Sequence, residues 1–176
     1  MRRLVPVLLA ALLLVALAGP VAAARPEGKG PVEVPVGSLD FIITSDIGCE
    51  GFDVLVEDIA GRITEISVGN DRLISQFRTI TRYTRLDSSG ARTDASFERP
   101  FHSLGILTFH PDGSLMTITG SNDGLVWGPD TVPLGLDDGI WLIDHGRVVV
   151  HYDTAGNVVG GRLYSGATID VCDALS

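Results

Sequence analysis

The chain has 176 residues, of which 22 are acidic and 13 are lysine or arginine, so its formal net charge is −9 at pH 7. This length suits one ordinary domain. The excess of acidic residues excludes a protein that binds nucleic acid or docks on an anionic membrane, since both need a basic surface.

The first 24 residues have the anatomy of a secretory signal peptide. Arg2 and Arg3 form a positive start, a long uncharged apolar stretch follows, and Ala22-Ala23-Ala24 supplies the small residues that precede a cleavage site. An uncleaved membrane anchor is the alternative, because about 20 apolar residues can span a bilayer. Proline and glycine interrupt this stretch and favour removal. We therefore predict a secreted protein that begins at Arg25 and keeps no membrane attachment.

Proline and glycine are frequent in residues 25–38, which are predicted to form a flexible N-terminal segment, either a linker or an ordered edge of the domain. The folded domain is predicted to occupy residues 39–176. A short strand is expected at 41–43, and from Phe52 onward apolar and polar residues alternate, as in strands with one buried face.

The middle of the chain reads as long strands separated by turns. Residues 72–86 are predicted to form one strand with a bulge, because their large apolar side chains fall on both parities. The segments 87–90, 110–114 and 121–124 are rich in Asp, Gly, Asn and Ser and are predicted to be turns. Residues 87–103 and 128–139 are predicted to be long loops.

The segment "GIWLIDHGRVVVHYD" is interpreted as a hairpin whose two-residue turn is His145-Gly146. A further turn follows at 154–157, and Gly160-Gly161 indicates a bulge or bend. The hairpin pairing puts an apolar stripe on one parity, which would line a cavity if the fold is wide enough to enclose one. The residues of this stripe are Trp141, Ile143, Val148, Val150 and Tyr152.

After residue 25 the sequence has no helical stripe. Short apolar runs punctuated by glycine predict about ten strands. The predicted fold is therefore all-β, a single antiparallel meander that closes into a β-barrel. A β-sandwich is the alternative.

Cys49 and Cys172 are the two cysteines of the chain. In a secreted protein they are predicted to form one disulfide, Cys49–Cys172. Closing a loop of this size is worth about 4 to 5 kcal/mol in the chain-entropy model. A redox role is excluded because the spacing is not C-x-x-C.

The sequence contains no recognisable catalytic motif. None of the four histidines has a metal-binding spacing, and the nucleophile-elbow and nucleotide-binding motifs are absent. We therefore predict no catalytic residue, no metal and no cofactor. His151 and Asp153 share a strand face and could act as an oriented base, but a solvated strand face is the simpler interpretation.

A cysteine just before "FDVLVE", the stretch "YDTAGNVVGGRLYSG" and the final "TIDVCDAL" form a distinctive combination. The domain from Cys49 onward resembles a family of uncharacterised secreted actinobacterial proteins. That family has no assigned activity, so the resemblance implies no functional residue.

Three hypotheses for the function follow. The first is a secreted, non-catalytic barrel that binds a small apolar ligand in its interior. The second is an extracellular interaction or structural module that uses an exposed face or the loops 87–103 and 128–139. The third is a cyclase or isomerase at the mouth of the barrel, which requires His151 to point into a cavity.

Overall fold

The structure is a computed structural model that describes residues 30–176. The predicted signal peptide lies outside the described residues, as does the first part of the segment 25–38. Within the described part of the chain, no helix is long and apolar enough to cross a membrane. The strands are β1 (Val32–Val34), β2 (Phe41–Ile43), β3 (Val54–Val68), β4 (Arg72–Leu86), β5 (Arg92–Phe109), β6 (Leu115–Trp127), β7 (Ile140–Tyr152) and β8 (Val158–Asp170).

One antiparallel sheet contains all eight of these strands. From β3 to β8 the order of the strands in the sheet follows their order in the chain. At the edge away from β8, β1 and β2 both pair with β3. The antiparallel all-β meander is thus confirmed. Over residues 30–176, β8 pairs with β7 alone, so the sheet is open and fits the β-sandwich alternative.

The N-terminal segment contributes an edge strand. Val32, Glu33 and Val34 pair with residues 63–65 of β3. Of the two interpretations of residues 25–38, the ordered edge therefore describes residues 32–34.

The hairpin predicted at His145-Gly146 is wrong, because Ile140–Tyr152 is a single strand. β6 pairs with both of its halves, with Gly124 opposite Ile143 and Asn122 opposite Gly146. His145 takes a φ of 52° and forms a bulge within the strand. The local signal for a positive φ was correct, but the strand continues through it.

The turn predicted at 121–124 and the loop predicted at 87–103 are also wrong. Asn122 has a φ of 71° and lies opposite Gly146, beside the same bulge of β7, and β6 continues through it. Residues 92–109 form β5, so the turn after β4 is confined to residues 87–91. Because both supposed turns lie within strands, the described residues form eight strands where more had been predicted.

The long strand predicted at 72–86 is confirmed as β4, but the bulge predicted within it lies in its neighbours. At the two register shifts beside β4 the extra residues are Ile59 of β3 and residues 93–95 of β5. Between the ends, Leu73, Phe77 and Tyr83 fall on the same face, whereas the alternate positions carry several exposed residues such as Arg72.

The disulfide Cys49–Cys172 is confirmed, with the two Cα atoms 5.2 Å apart. Cys49 is completely buried in the segment before β3, and Cys172 lies in a short helix, α1 (Val171–Ala174), directly after β8. Asp170 caps this helix by accepting a hydrogen bond from the Cys172 amide at 2.8 Å. The disulfide therefore joins the start of the meander to its end.

Buried apolar side chains form two clusters in the described chain. The first surrounds the disulfide and includes Ile43, Val54, Tyr83 and Leu142. The second includes Leu107, Val126, Ile143, Val148, Val150 and Tyr152. Side chains from β4 and β5 contribute to both clusters, and the space beside them is the cavity described next.

Candidate ligand-binding cavity

A cavity of about 890 Å³ lies against one face of the sheet. Alternate residues of neighbouring strands form its wall, as expected where every second side chain points to the same side. On β4 and β5 these residues are Ser75, Phe77, Thr81, Tyr83, Phe101, Ser103, Gly105 and Leu107.

Glycines at inward positions leave much of this space empty. Gly105 of β5 lies directly opposite Gly120 of β6, and Gly124 follows on the same face. These three residues have no side chain to project into the cavity. Two 3₁₀ turns after β6, Gly128–Asp130 and Val132–Leu134, supply the opposite wall through Pro129, Asp130, Val132 and Pro133.

Three residues of the predicted stripe, Val148, Val150 and Tyr152, line the cavity. The other two share this face of β7, since Trp141 is opposite Val126 and Ile143 is opposite Gly124. Trp141 and Ile143 nevertheless do not line the cavity. Trp141 and Ile143 belong instead to the second apolar cluster, which also includes Leu134 and Leu136 from the segment that follows β6. The Trp141 indole N–H donates to the carbonyl oxygen of Asp137 at 2.9 Å.

Sequence reasoning missed most of the aromatic wall. Phe41 and Trp127 pack with ring centroids 5.5 Å apart, and Phe77 packs edge-on against Phe101 at 6.0 Å. The parity of Phe77 and Tyr83 in β4 was a usable signal, but it does not reveal which side of the sheet remains unfilled.

A small polar group lies at the β3–β4 side of the cavity. The Thr81 hydroxyl donates to Asp58 Oδ1 at 2.6 Å, and the Asp58 amide donates to Asp40 Oδ1 at 3.1 Å. Tyr83 is completely buried and its hydroxyl has no hydrogen-bond partner in the described structure. Burial raises the pKa of Tyr83, so this phenol stays protonated at neutral pH.

A second polar pair lies at the 3₁₀ turns. The Tyr152 hydroxyl donates to Asp130 Oδ2 at 2.7 Å and so fastens the first turn to the end of β7. Burial raises the pKa of Asp130, and the hydrogen bond from Tyr152 partly opposes that rise.

His151 and Asp153 do not reach the cavity. His151 is exposed and its Nδ1 contacts the Thr117 hydroxyl at 3.2 Å. Asp153 organises the turn before β8, where its carboxylate accepts from the amides of Ala155 and Asn157, both at 2.9 Å. The enzyme hypothesis required His151 to point inward, so the described arrangement removes the acid–base pair on which it rested.

Asp123, Asp144 and His145 also lie close together, with one potential ligand atom of each within 4.8 Å of the others. Arg99 already supplies a counter-charge, because its Nη2 donates to Asp144 Oδ1 at 2.8 Å. Asp123 accepts from the His102 amide at 2.6 Å. We assign no metal ion to this group, whose contacts connect β5, β6 and β7.

The chain matches no protein-family model, no curated protein and no solved structure. The resemblance to secreted actinobacterial proteins stays a prediction. The cavity itself is therefore the feature that indicates a function.

Proposed function

We propose that the protein is a secreted, non-catalytic binding protein that holds a small, largely apolar ligand in its interior. The observation that carries this proposal is the cavity of about 890 Å³ with its mainly apolar and aromatic wall. Small-molecule sites in proteins have volumes of about 300 to 1,000 Å³ and combine apolar walls with a few placed polar groups. Thr81 and the carboxylate of Asp58 supply such polar groups here.

The proposal includes a barrel-like enclosure of the ligand. Residues from β2 through β8 contribute to the cavity wall, and the disulfide holds the start of β3 near the end of β8. In this proposal the sheet curls around the ligand, but β3 and β8 do not pair with each other. The disulfide also supports secretion, because such bonds persist in oxidising compartments.

The two tryptophans of the chain provide a direct binding assay, since Trp127 lines the cavity and Trp141 does not. We expect the neutral dye N-phenylnaphthylamine to bind and to quench tryptophan emission. Energy transfer to the dye reaches both tryptophans, so the affinity for the dye is compared between variants. Trp141→Phe should keep this affinity, and Trp127→Phe, which changes an aromatic face of the cavity wall, should lower it. Equal affinity in both variants would place the dye elsewhere on the protein.

Filling the cavity gives an independent test. A Cβ at Gly105 would meet its nearest atoms at 3.7 Å and 3.9 Å, which are ordinary contact distances, so a larger residue fits the backbone there. Gly105→Val projects apolar volume into the cavity and suits a strand. We expect the variant to fold, as judged by circular dichroism, and to bind the dye roughly tenfold more weakly. Unchanged dye affinity in the folded variant contradicts the proposal.

The second candidate function is an extracellular interaction module. It is favoured by the edge strand β8, where Val159 and Tyr164 are exposed. Residues 92–103 of the first predicted loop belong to β5, and four residues of the second, Pro129, Asp130, Val132 and Pro133, line the cavity, so neither segment is the long free loop that this hypothesis used. Native mass spectrometry of the protein secreted by its own host separates the two candidates, because it detects a retained small molecule or a protein partner.

A further inference from the structure

The cavity wall has an unusual charge balance. It contains three carboxylates, those of Asp40, Asp58 and Asp130, and no lysine, arginine or histidine from the described residues. An anionic ligand such as a fatty acid would lack a counter-charge and meet like charges. A cationic ligand would meet opposite charges in a partly desolvated site, where electrostatic interactions are stronger than in water.

Asp58 is the carboxylate best placed to bind a cation. It is half-buried, and Thr81 and the neighbouring Asp40 hold it in position through the hydrogen bonds described above. Its Oδ2 atom accepts no hydrogen bond, and Asp58 forms no salt bridge, in the part of the chain that the structure describes. Asp40 is exposed and adds a second negative charge beside it.

The same end of the cavity carries aromatic faces. Phe41 follows Asp40 directly and lies opposite Val56, two residues before Asp58. Its ring packs against that of Trp127, and the indole ring is the aromatic group that attracts cations best. Aromatic faces combined with carboxylates are the chemistry that recognises organic ammonium groups.

We infer that the cavity selects a protonated organic amine on an apolar body, with the ammonium group at Asp58 and the apolar body against the aromatic wall. This inference rests on the proposed function, because it specifies the ligand class of the same cavity. It also predicts that fatty acids bind weakly, because no described residue of the wall is basic.

The test compares three probes with the same alkyl chain and different head groups, namely dodecylamine, dodecanol and dodecanoate. Each competes with the neutral dye at about pH 7, where the amine is cationic and the carboxylate anionic. We expect the amine to bind roughly tenfold more tightly than the alcohol, and the carboxylate to bind most weakly. Equal affinity for amine and alcohol overturns the inference and leaves the proposed function intact. Failure of the dye and of every probe to bind refutes the proposed function itself.

Two variants place the ammonium group, and a third is a matched control. Asp58→Asn should weaken amine binding roughly tenfold relative to alcohol binding, and Asp40→Asn should weaken it less because Asp40 is exposed. Asp94→Asn removes the same charge from an exposed position outside the cavity wall and should leave both affinities unchanged. If Asp58→Asn does not fold, Asp40→Asn still separates amine from alcohol. Equal losses in the Asp94 and Asp58 variants, or in the Asp94 and Asp40 variants, overturn the local assignment.

Discussion

Opening the Cys49–Cys172 disulfide should remove a large part of the stability of the fold. The two cysteines are 123 residues apart in the chain. Loop-closure entropy for that separation gives about 5 kcal/mol at 25 °C, because the cost grows with the logarithm of the loop length. Domains of this kind are stable by about 5 to 15 kcal/mol in total. The reduced protein should therefore be marginally stable.

The measurement is urea unfolding of the oxidised and the reduced protein, followed by tryptophan fluorescence. With an m-value of about 2 kcal/mol per molar urea, the loss should lower the midpoint by roughly 2 M or more. Reduction leaves both side chains in place, so it isolates the cross-link. The variant Cys49→Ala/Cys172→Ala is the control, and its midpoint should not respond to reductant.

Unfolding midpoints of the oxidised and reduced proteins within about 0.5 M urea of each other would contradict this prediction. That result would mean that the unfolded chain gains little freedom when the cross-link opens. A second readout concerns the cavity. Because the disulfide holds opposite ends of the meander together, reduction at low urea should also weaken dye binding.

Three further predictions concern individual residues. Burial raises the folded-state pKa of Asp130 above its ordinary value of 3.8, so the folded protein loses stability as the pH rises above 3.8 and Asp130 ionises. The variant Asp130→Asn, whose side-chain carbonyl can still accept from Tyr152, should therefore be more stable than the unmodified protein at neutral pH but not in acid. Urea unfolding at both pH values measures this, and a gain in stability that persists in acid contradicts it. Hydrogen bonds from the side chain and the amide of Asn157 are the main cause that lowers the pKa of Asp153 below 3.8. Asp153→Ala should therefore lower the melting temperature at neutral pH, and the difference from the unmodified protein should disappear in acid. A Cβ at Gly61, where φ is 117°, would lie 2.2 Å from a carbonyl oxygen of β4, so Gly61→Ala should lower the free energy of unfolding by about 3 kcal/mol. Gly160 has open space around a Cβ, so Gly160→Ala should change that free energy by about 0.5 kcal/mol. Similar losses in both variants would refute the steric argument.

Much of the fold could be predicted from local pattern. Alternation in β4 and the turn residues between strands depend on neighbouring residues, and the disulfide followed from a cysteine count combined with the secretion prediction. The two errors about turns have one origin. A residue with positive φ occurs both in a two-residue hairpin turn and at an irregularity within a strand. At His145 and Asn122 the choice depends on whether the neighbouring strand continues alongside, which local sequence does not contain.

The candidate site was only partly predicted, because its lining also depends on contacts between distant parts of the chain. The stripe on β7 shares one face, as the pairing of Trp141 with Val126 and of Ile143 with Gly124 demonstrates. Which members of that face border empty space depends on the segment after β6, whose Leu134 and Leu136 pack into the cluster that contains Trp141. The three carboxylates of the wall come from separate parts of the chain. No spacing in the sequence could bring them together before the strand order was known.

The sequential order of the strands has a consequence for how the domain folds. From β3 to β8 each strand pairs with the next one in the chain, and four of the five connections span only three to five residues. Contacts between neighbours in sequence need little loop closure, which lowers the kinetic barrier that usually slows all-β proteins. The sheet can therefore grow hairpin by hairpin. We expect the bond between Cys49 and Cys172 to close last, over a sheet that has already formed.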